Sequence, residues 1–250
     1  MATPTPGILM RLVHAREGVD AHASVLTPPA PCHHVQATWK MTARDDKQPA
    51  HCTIYFVADI APLVADGGLF TADAQSHADT VAAVSWVVLA FVNGRERDSP
   101  TSSAITANSL VSPAPAPGSV IVLNGSTPRP DKADDYHAWY DQEHGGKLAY
   151  VPGWQTMRRY RLEKVYGNAE TADFYGMNLY DAVNGLGGKE WQDGVTEWTL
   201  RIRSQAARPN IRRVWTVQDT ALHRAYGACG GGTCHERTKR AHVEADAGAM

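Results

Sequence analysis

The order in which strand-like and helix-like segments follow one another between residues 119 and 217 constrains this chain more than any other feature. Residues 119–124 (SVIVLN) form a short β-branched run and read as a strand. Pro128 and Pro130 follow, then acids at 131–135 suited to an N-cap and a first helical turn. Over 136–151 the period is helical: Tyr136, Tyr140, His144, Leu148 and Val151 share a face about 80° wide at about 100° per residue. Pro152-Gly153 stops that helix. Residues 154–162 alternate, with Trp154, Thr156, Arg158 and Tyr160 on one side. Residues 174–180 (FYGMNLY) read as a third strand. Residues 188–203 read as a second helix carrying Trp191, Val195, Trp198 and Ile202, and 211–217 (IRRVWTV) as a fourth strand.

This βαββαβ order is the split-βαβ, ferredoxin-like arrangement of the α+β class. The first half repeats it less completely. Residues 7–13, 35–41, 51–58 and 84–92 read as strands and 71–83 as a helix, but Pro28, Pro29 and Pro31 break the stretch where a first helix would lie. Between the halves, residues 98–118 (DSPTSSAITANSLVSPAPAPG) have little to bury and read as a linker. Residues 220–250, with Gly230-Gly231-Gly232 and no apolar period, read as a disordered tail. The expected organisation is a degenerate half over 1–97, a linker, a second half over 119–219, and the tail: an internal duplication with one degraded copy.

Bulk properties exclude several function classes. A net charge of −2 supplies no basic field for nucleic acid, and the arginines are scattered or paired. The longest apolar run, 81–92, falls short of the roughly 18 residues a membrane span needs, and residues 1–7 lack the pattern of a secretory signal. The four cysteines form no dense framework and read as reduced thiols, so a cytoplasmic location is expected. His33-His34 with His51-Cys52, and Cys229 with Cys234-His235, have no convincing four-ligand spacing, so no metal is expected. No glycine-rich phosphate loop and no serine-hydrolase elbow is present, so no nucleotide cofactor is expected.

The segments Trp139-Tyr140-Asp-Gln-Glu143-His144, Val151-Pro152-Gly153-Trp154 and Arg158-Arg159-Tyr160 resemble the tandem dimeric α+β-barrel proteins of fungi, with their W-Y-x-x-E-H helix, P-G-W turn and R-x-Y strand. More distantly, the chain is similar to the EthD-like and antibiotic-biosynthesis-monooxygenase groups. The resemblance implies two ferredoxin-like halves forming one barrel within the chain. It leaves the reaction open, because the fold hosts many activities. The first half has no counterpart of the W-Y-x-x-E-H helix, which implies a single competent cavity in the second.

His144 is the sharpest catalytic candidate. Near a helix C-terminus its imidazolium would be stabilised and its pKa raised, placing a proton shuttle near neutral pH; the alternative is a structural histidine under the turn. Tyr136 and Tyr140 share its face and would bind substrate oxygens, or simply fill the core. Arg158 and Arg159 point to opposite faces of their strand, and whichever meets the cavity would steady a carboxylate or enolate. Glu143 and Trp139 lie on the helix flank; Glu143 would orient a substrate ring or hold a neighbouring base, or be a solvated helix acid, and Trp139 and Trp154 either pack the corner or wall an aromatic pocket. Asn178 is a candidate oxyanion donor, or a buried amide satisfied by backbone.

Together these point to a cofactor-independent enzyme of secondary metabolism. Its substrate would be a polyketide-like or other apolar, oxygenated small molecule, undergoing cyclisation, dehydration, isomerisation or decarboxylation. The alternatives are a cofactor-free monooxygenase of the same fold and a non-catalytic binding protein. Small-molecule substrate is the expected partner, with neither nucleic acid nor membrane, and a homodimer is left open.

Overall fold

A computed structural model of the chain describes residues 3–18, 35–97 and 114–223. The first half contains β1 (Gly7–Ala15), β2 (Val35–Ala43), β3 (His51–Val57), α1 (Ala61–Ala65), α2 (Gly68–Ser76) and β4 (Val81–Glu96). The second contains β5 (Val120–Ser126), a 3-10 turn (Pro130–Lys132), α3 (Ala133–Trp139), a π turn (Tyr140–His144) and α4 (Gly145–Leu148). It continues with β6 (Trp154–Tyr166), β7 (Phe174–Tyr180), α5 (Lys189–Asp193), α6 (Glu197–Ser204) and β8 (Ile211–Leu222).

All eight strands close into one antiparallel barrel, ordered β1-β3-β2-β8-β5-β7-β6-β4. Cut at two seams, the ring gives β4-β1-β3-β2 and β8-β5-β7-β6, the same ferredoxin-like order twice. The seams are reciprocal. The second strand of the first half pairs with the last strand of the second half, from Ala37↔Leu222 to Ala43↔Trp215. The second strand of the second half pairs with the last strand of the first, from Trp86↔Tyr166 to Glu96↔Thr156. Such an exchange is what a pseudo-twofold axis produces.

The seams explain where strand lengths depart from expectation. β4 covers 81–96 rather than 84–92, and β8 runs to Leu222 rather than ending at Val217. Each must serve its own sheet and then the other half. The added residues of β8 include exposed Gln218 and Asp219, so no apolar alternation marks them; ladder hydrogen bonds hold them instead. Residues 220–222, expected in the tail, therefore belong to the barrel. So does the end of the expected linker, where the Gly118 N–H donates to the Val217 carbonyl at 2.8 Å. Residues 98–113 and the tail from 224 lie outside the described residues, as do His33, His34, Cys32, Cys229 and Cys234. Cys52 is a free, buried thiol in the barrel.

The alternation of each strand sorts side chains to two faces. One set fills the barrel, with Ile8, Trp39, Phe56, Leu89, Tyr160 and Trp215 among its members. The other is covered outside by helices, over Leu9, Trp86 and Val88 in the first half and over Val120, Val122 and Tyr180 in the second. Because both faces are buried, β1 reads as a continuous apolar run, interrupted by Arg11. Arg11 is sealed under α2, where Asp73 accepts its Nε at 2.7 Å and the Trp86 indole N–H at 2.8 Å. The first half thus carries a filled, ion-paired site beneath its helix.

Helices break where the sequence suggested continuity. The expected helix at 71–83 is α1 and α2 over 61–76, and β4 begins at Val81. The expected helix at 188–203 is α5 and α6, separated at Gly194–Thr196, because the Thr196 side chain caps α6 by accepting the Thr199 N–H at 3.1 Å. Among the described residues, no helix is long and apolar enough to cross a membrane.

Candidate active site

The helix expected over 136–151 is compound, and its irregularity builds the site. After α3, residues 140–144 wind as a π turn, with the Gly145 N–H donating five residues back to the Tyr140 carbonyl. A π turn sets residues i and i+5 one above the other, where a regular α-helix would place them well apart around the axis. Trp139 consequently comes beneath His144, their rings stacked at 4.1 Å with planes 19° apart. Tyr140 meets the same imidazole edge-on at 5.2 Å, and Tyr136 meets Tyr140 at 5.3 Å. Trp139, expected on the helix flank, thus joins the histidine face.

These four side chains form one wall of a cavity of about 600 Å³ between the helices and the outer face of the second-half sheet. Val122, Asn124, Asn178 and Tyr180 on β5 and β7 line its floor, and Trp191, Thr199 and Ile202 the opposite wall. No residue of β6 lines the cavity; β5 takes the place beside β7. The walls are pinned by hydrogen bonds. The Trp139 indole donates to Thr199 Oγ1 at 3.2 Å, and the Trp198 indole donates to Asp135 at 3.0 Å. Thr196 Oγ1, the cap of α6, donates to Glu143 at 2.5 Å. Glu143 faces this cap and does not line the cavity.

The other candidates divide by strand face. A register shift between Trp154 and Thr156 moves Trp154 off the face it was expected to share with Arg158 and Tyr160. Trp154 lies under the helices, behind the cavity, and its indole donates to Asn178 Oδ1 at 3.3 Å. An indole only donates, so this contact fixes the amide orientation and leaves the Asn178 NH2 as the group turned to other partners. Arg158 points into the barrel, 5.7 Å from the Trp39 ring, and donates to Thr156 at 2.6 Å. Arg159 is on the helix side but does not reach the cavity. It is clamped by Asp141 at 2.8 Å and His137 at 2.5 Å, and its guanidinium lies 4.6 Å from the Tyr140 ring. Arginines do line the cavity, but they are Arg203, Arg208 and Arg212, which sequence reasoning missed. Arg212 shares strand parity with cavity-side Val214, and that was the available signal.

The electrostatics correct one expectation. His144 is followed directly by α4, so it has no helix end to stabilise a positive charge. Burial pushes its pKa down to about 3, with the charge of Arg203 acting in the same direction. At ordinary pH the ring is therefore neutral, with one N–H donor and one acceptor nitrogen, rather than the imidazolium acid expected from the sequence. Its Nδ1 is buried with no hydrogen-bond partner among the described residues. Burial raises the pKa of Tyr136 and Tyr140, so both phenols keep their protons. Gly176 makes room for Tyr140: a Cβ there would lie 2.4 Å from the phenol oxygen. Among the described residues, no three His, Cys, Asp or Glu side chains are grouped to hold a metal.

Fold and site together define a dimeric α+β barrel folded from a single chain, with a helix-covered cavity in its second half. Solved structures share this architecture. One is described as an anthrone oxidase-like protein (13% identity, TM-score 0.57, covering 88% of this chain and 94% of that one). Another is a candidate monooxygenase from Fusobacterium nucleatum (7%, 0.53, 88% and 96%). A third is a candidate monooxygenase from Lactobacillus acidophilus (11%, 0.50, 87% and 96%). At such identities the likeness establishes the fold. No protein-family model and no curated protein sequence matches the chain.

Proposed function

We propose that the second-half cavity binds an electron-rich, hydroxylated aromatic small molecule of polyketide type, and that the chain is an oxygenase in which the substrate anion itself reacts with dioxygen. The observation that carries this reading is His144: a neutral imidazole with an unpartnered nitrogen, flat on Trp139, beside a cavity walled by Tyr136, Tyr140 and Tyr180. Aromatic walls hold a flat ring by stacking, and a neutral imidazole accepts its proton. An isolated imidazolium is disfavoured here because the site is buried. A proton transferred from the substrate creates cation and anion together, so the pair stays neutral overall and much of the burial penalty is offset.

The chemistry balances with dioxygen as co-reactant. His144 takes a proton from an acidic C–H or O–H, leaving an enolate or phenolate. The anion passes one electron to dioxygen, the two radicals combine into a C–OO⁻ group, and the proton held on His144 returns to make it C–OOH. Loss of the remaining C–H proton breaks the O–O bond, and the departing hydroxide leaves with a proton as water. The net change is CH2 plus O2 to C=O plus H2O. Tyr136 or Tyr140 would donate a hydrogen bond to the substrate oxygen, as would the Asn178 amide. An anthrone is a suitable first substrate, since a protein sharing the fold is described as anthrone oxidase-like.

The proton-transfer reactions expected from the sequence, without dioxygen, would use the same first step. Product formation in air and under argon separates them: the oxygenase reading expects product in air alone. Equal rates under argon return the chain to lyase or isomerase chemistry.

A further inference from the structure

In a chain of net charge −2, the cavity lining contains three arginines and neither Asp nor Glu. Arg203 stands at the end of α6, Arg208 in the loop that follows, and Arg212 at the start of β8. All three are exposed, so they ring the mouth rather than the floor. Arg208 is already engaged by Asp173 at 3.1 Å and by Thr127 at 3.0 Å. Arg203 and Arg212 form no ion pair among the described residues. Their charges nevertheless reach opposite walls. Arg203 acts on His144, and Arg212 acts on Tyr180 while lying 6.0 Å from the Trp191 ring.

We infer that Arg203 and Arg212 select an aromatic substrate bearing a carboxylate, which they hold at the mouth while the ring system lies deep against Trp139 and His144. Guanidinium groups match carboxylates in geometry as well as charge. The lining itself offers no carboxylate to compete for them; the carboxylate beside the mouth, Asp173, is taken up by Arg208. The arginines are hydrated and exposed, so the preference is moderate and weakens with salt. This substrate class rests on the aromatic cavity proposed above, but not on the reaction assigned to it.

The test is binding of anthracene-9-carboxylate and anthracene-9-methanol, the same ring system with and without the charge, followed by quenching of tryptophan fluorescence in the full chain. At low ionic strength the carboxylate is expected to bind at least about tenfold more tightly, with the gap narrowing as salt is added. Arg203→Gln and Arg212→Gln should each weaken the carboxylate several-fold and leave the alcohol unchanged. His144→Gln should leave the preference intact, so loss of oxygenation in that variant does not bear on this inference. Equal binding of the two probes overturns it, as does a preference that survives the double Arg203→Gln, Arg212→Gln variant. Where the double variant binds neither probe, the double lysine variant, which keeps the charges, decides: a retained preference supports charge selection and an absent one overturns it.

Discussion

His144 lies flat on Trp139, five residues earlier in the same helix, with ring centroids 4.1 Å apart. Only the π turn at 140–144 makes such a pair neighbours, and the stack fixes the imidazole against the cavity. The tryptophan is itself held by Thr199 of α6, so the orientation of the histidine depends on the second helical segment as well as the first.

Burial of a neutral His144 has a consequence for acid stability. Its folded-state pKa, about 3, lies below the ordinary histidine value, so the unfolded chain takes the proton first as the pH falls. Stability is therefore complete above about pH 6.5 and declines toward pH 3, by up to about 1.4 kcal/mol per pH unit for one proton. His137, also lowered by burial, adds in the same direction. Urea unfolding at a series of pH values should show a shallower decline for His144→Gln than for wild type. Identical slopes would mean that the ring is not held neutral.

Gly176→Ala should disturb the site by displacing Tyr140. The new Cβ would meet the Tyr140 oxygen at 2.4 Å and its ring carbon at 3.0 Å. Overpacking of this kind costs about 1–3 kcal/mol. Tyr140→Phe removes the closest atom and should recover part of that loss, which a double-mutant cycle by thermal melting would measure.

In the first half, Asp73→Ala leaves Arg11 buried beneath α2 without its carboxylate. Breaking a buried pair from one side costs about 3–5 kcal/mol, seen as a large fall in melting temperature. Little change would show that water reaches Arg11 freely. Glu143→Ala, by contrast, removes only the acceptor of the Thr196 hydroxyl and should cost about 1 kcal/mol, with substrate turnover largely preserved.

Much of this was legible in the sequence, and the exceptions have physical causes. The βαββαβ order of the second half was readable because its strands are apolar on both faces and its helix carries Tyr136, Tyr140 and Leu148 at helical spacing. The placement of Tyr136, Tyr140, His144 and Asn178 on one cavity followed from that spacing and from strand parity. The ends of β4 and β8 were not readable, since they are held by pairing across the seams rather than by burial. Trp154 escaped its expected face because a one-residue irregularity reverses strand parity, and no residue type marks it. The neutral state of His144 was missed because the residue was read as lying near the C-terminal end of the 136–151 helix, where a positive charge is favoured, whereas burial and the charge of Arg203 decide its state. Arg203 and Arg212 were passed over because they meet at the cavity mouth only in three dimensions.

The most direct measurement is dioxygen consumption by the purified chain with an anthrone, using an oxygen electrode, for wild type and His144→Gln. Wild type is expected to consume one dioxygen per carbonyl formed. Glutamine keeps a hydrogen-bonding group but cannot take the proton, so kcat should fall by about 10²-fold or more with KM little changed and the melting temperature within a few degrees. A His144→Gln enzyme that consumes oxygen at the wild-type rate would contradict the assignment of His144 as the proton acceptor.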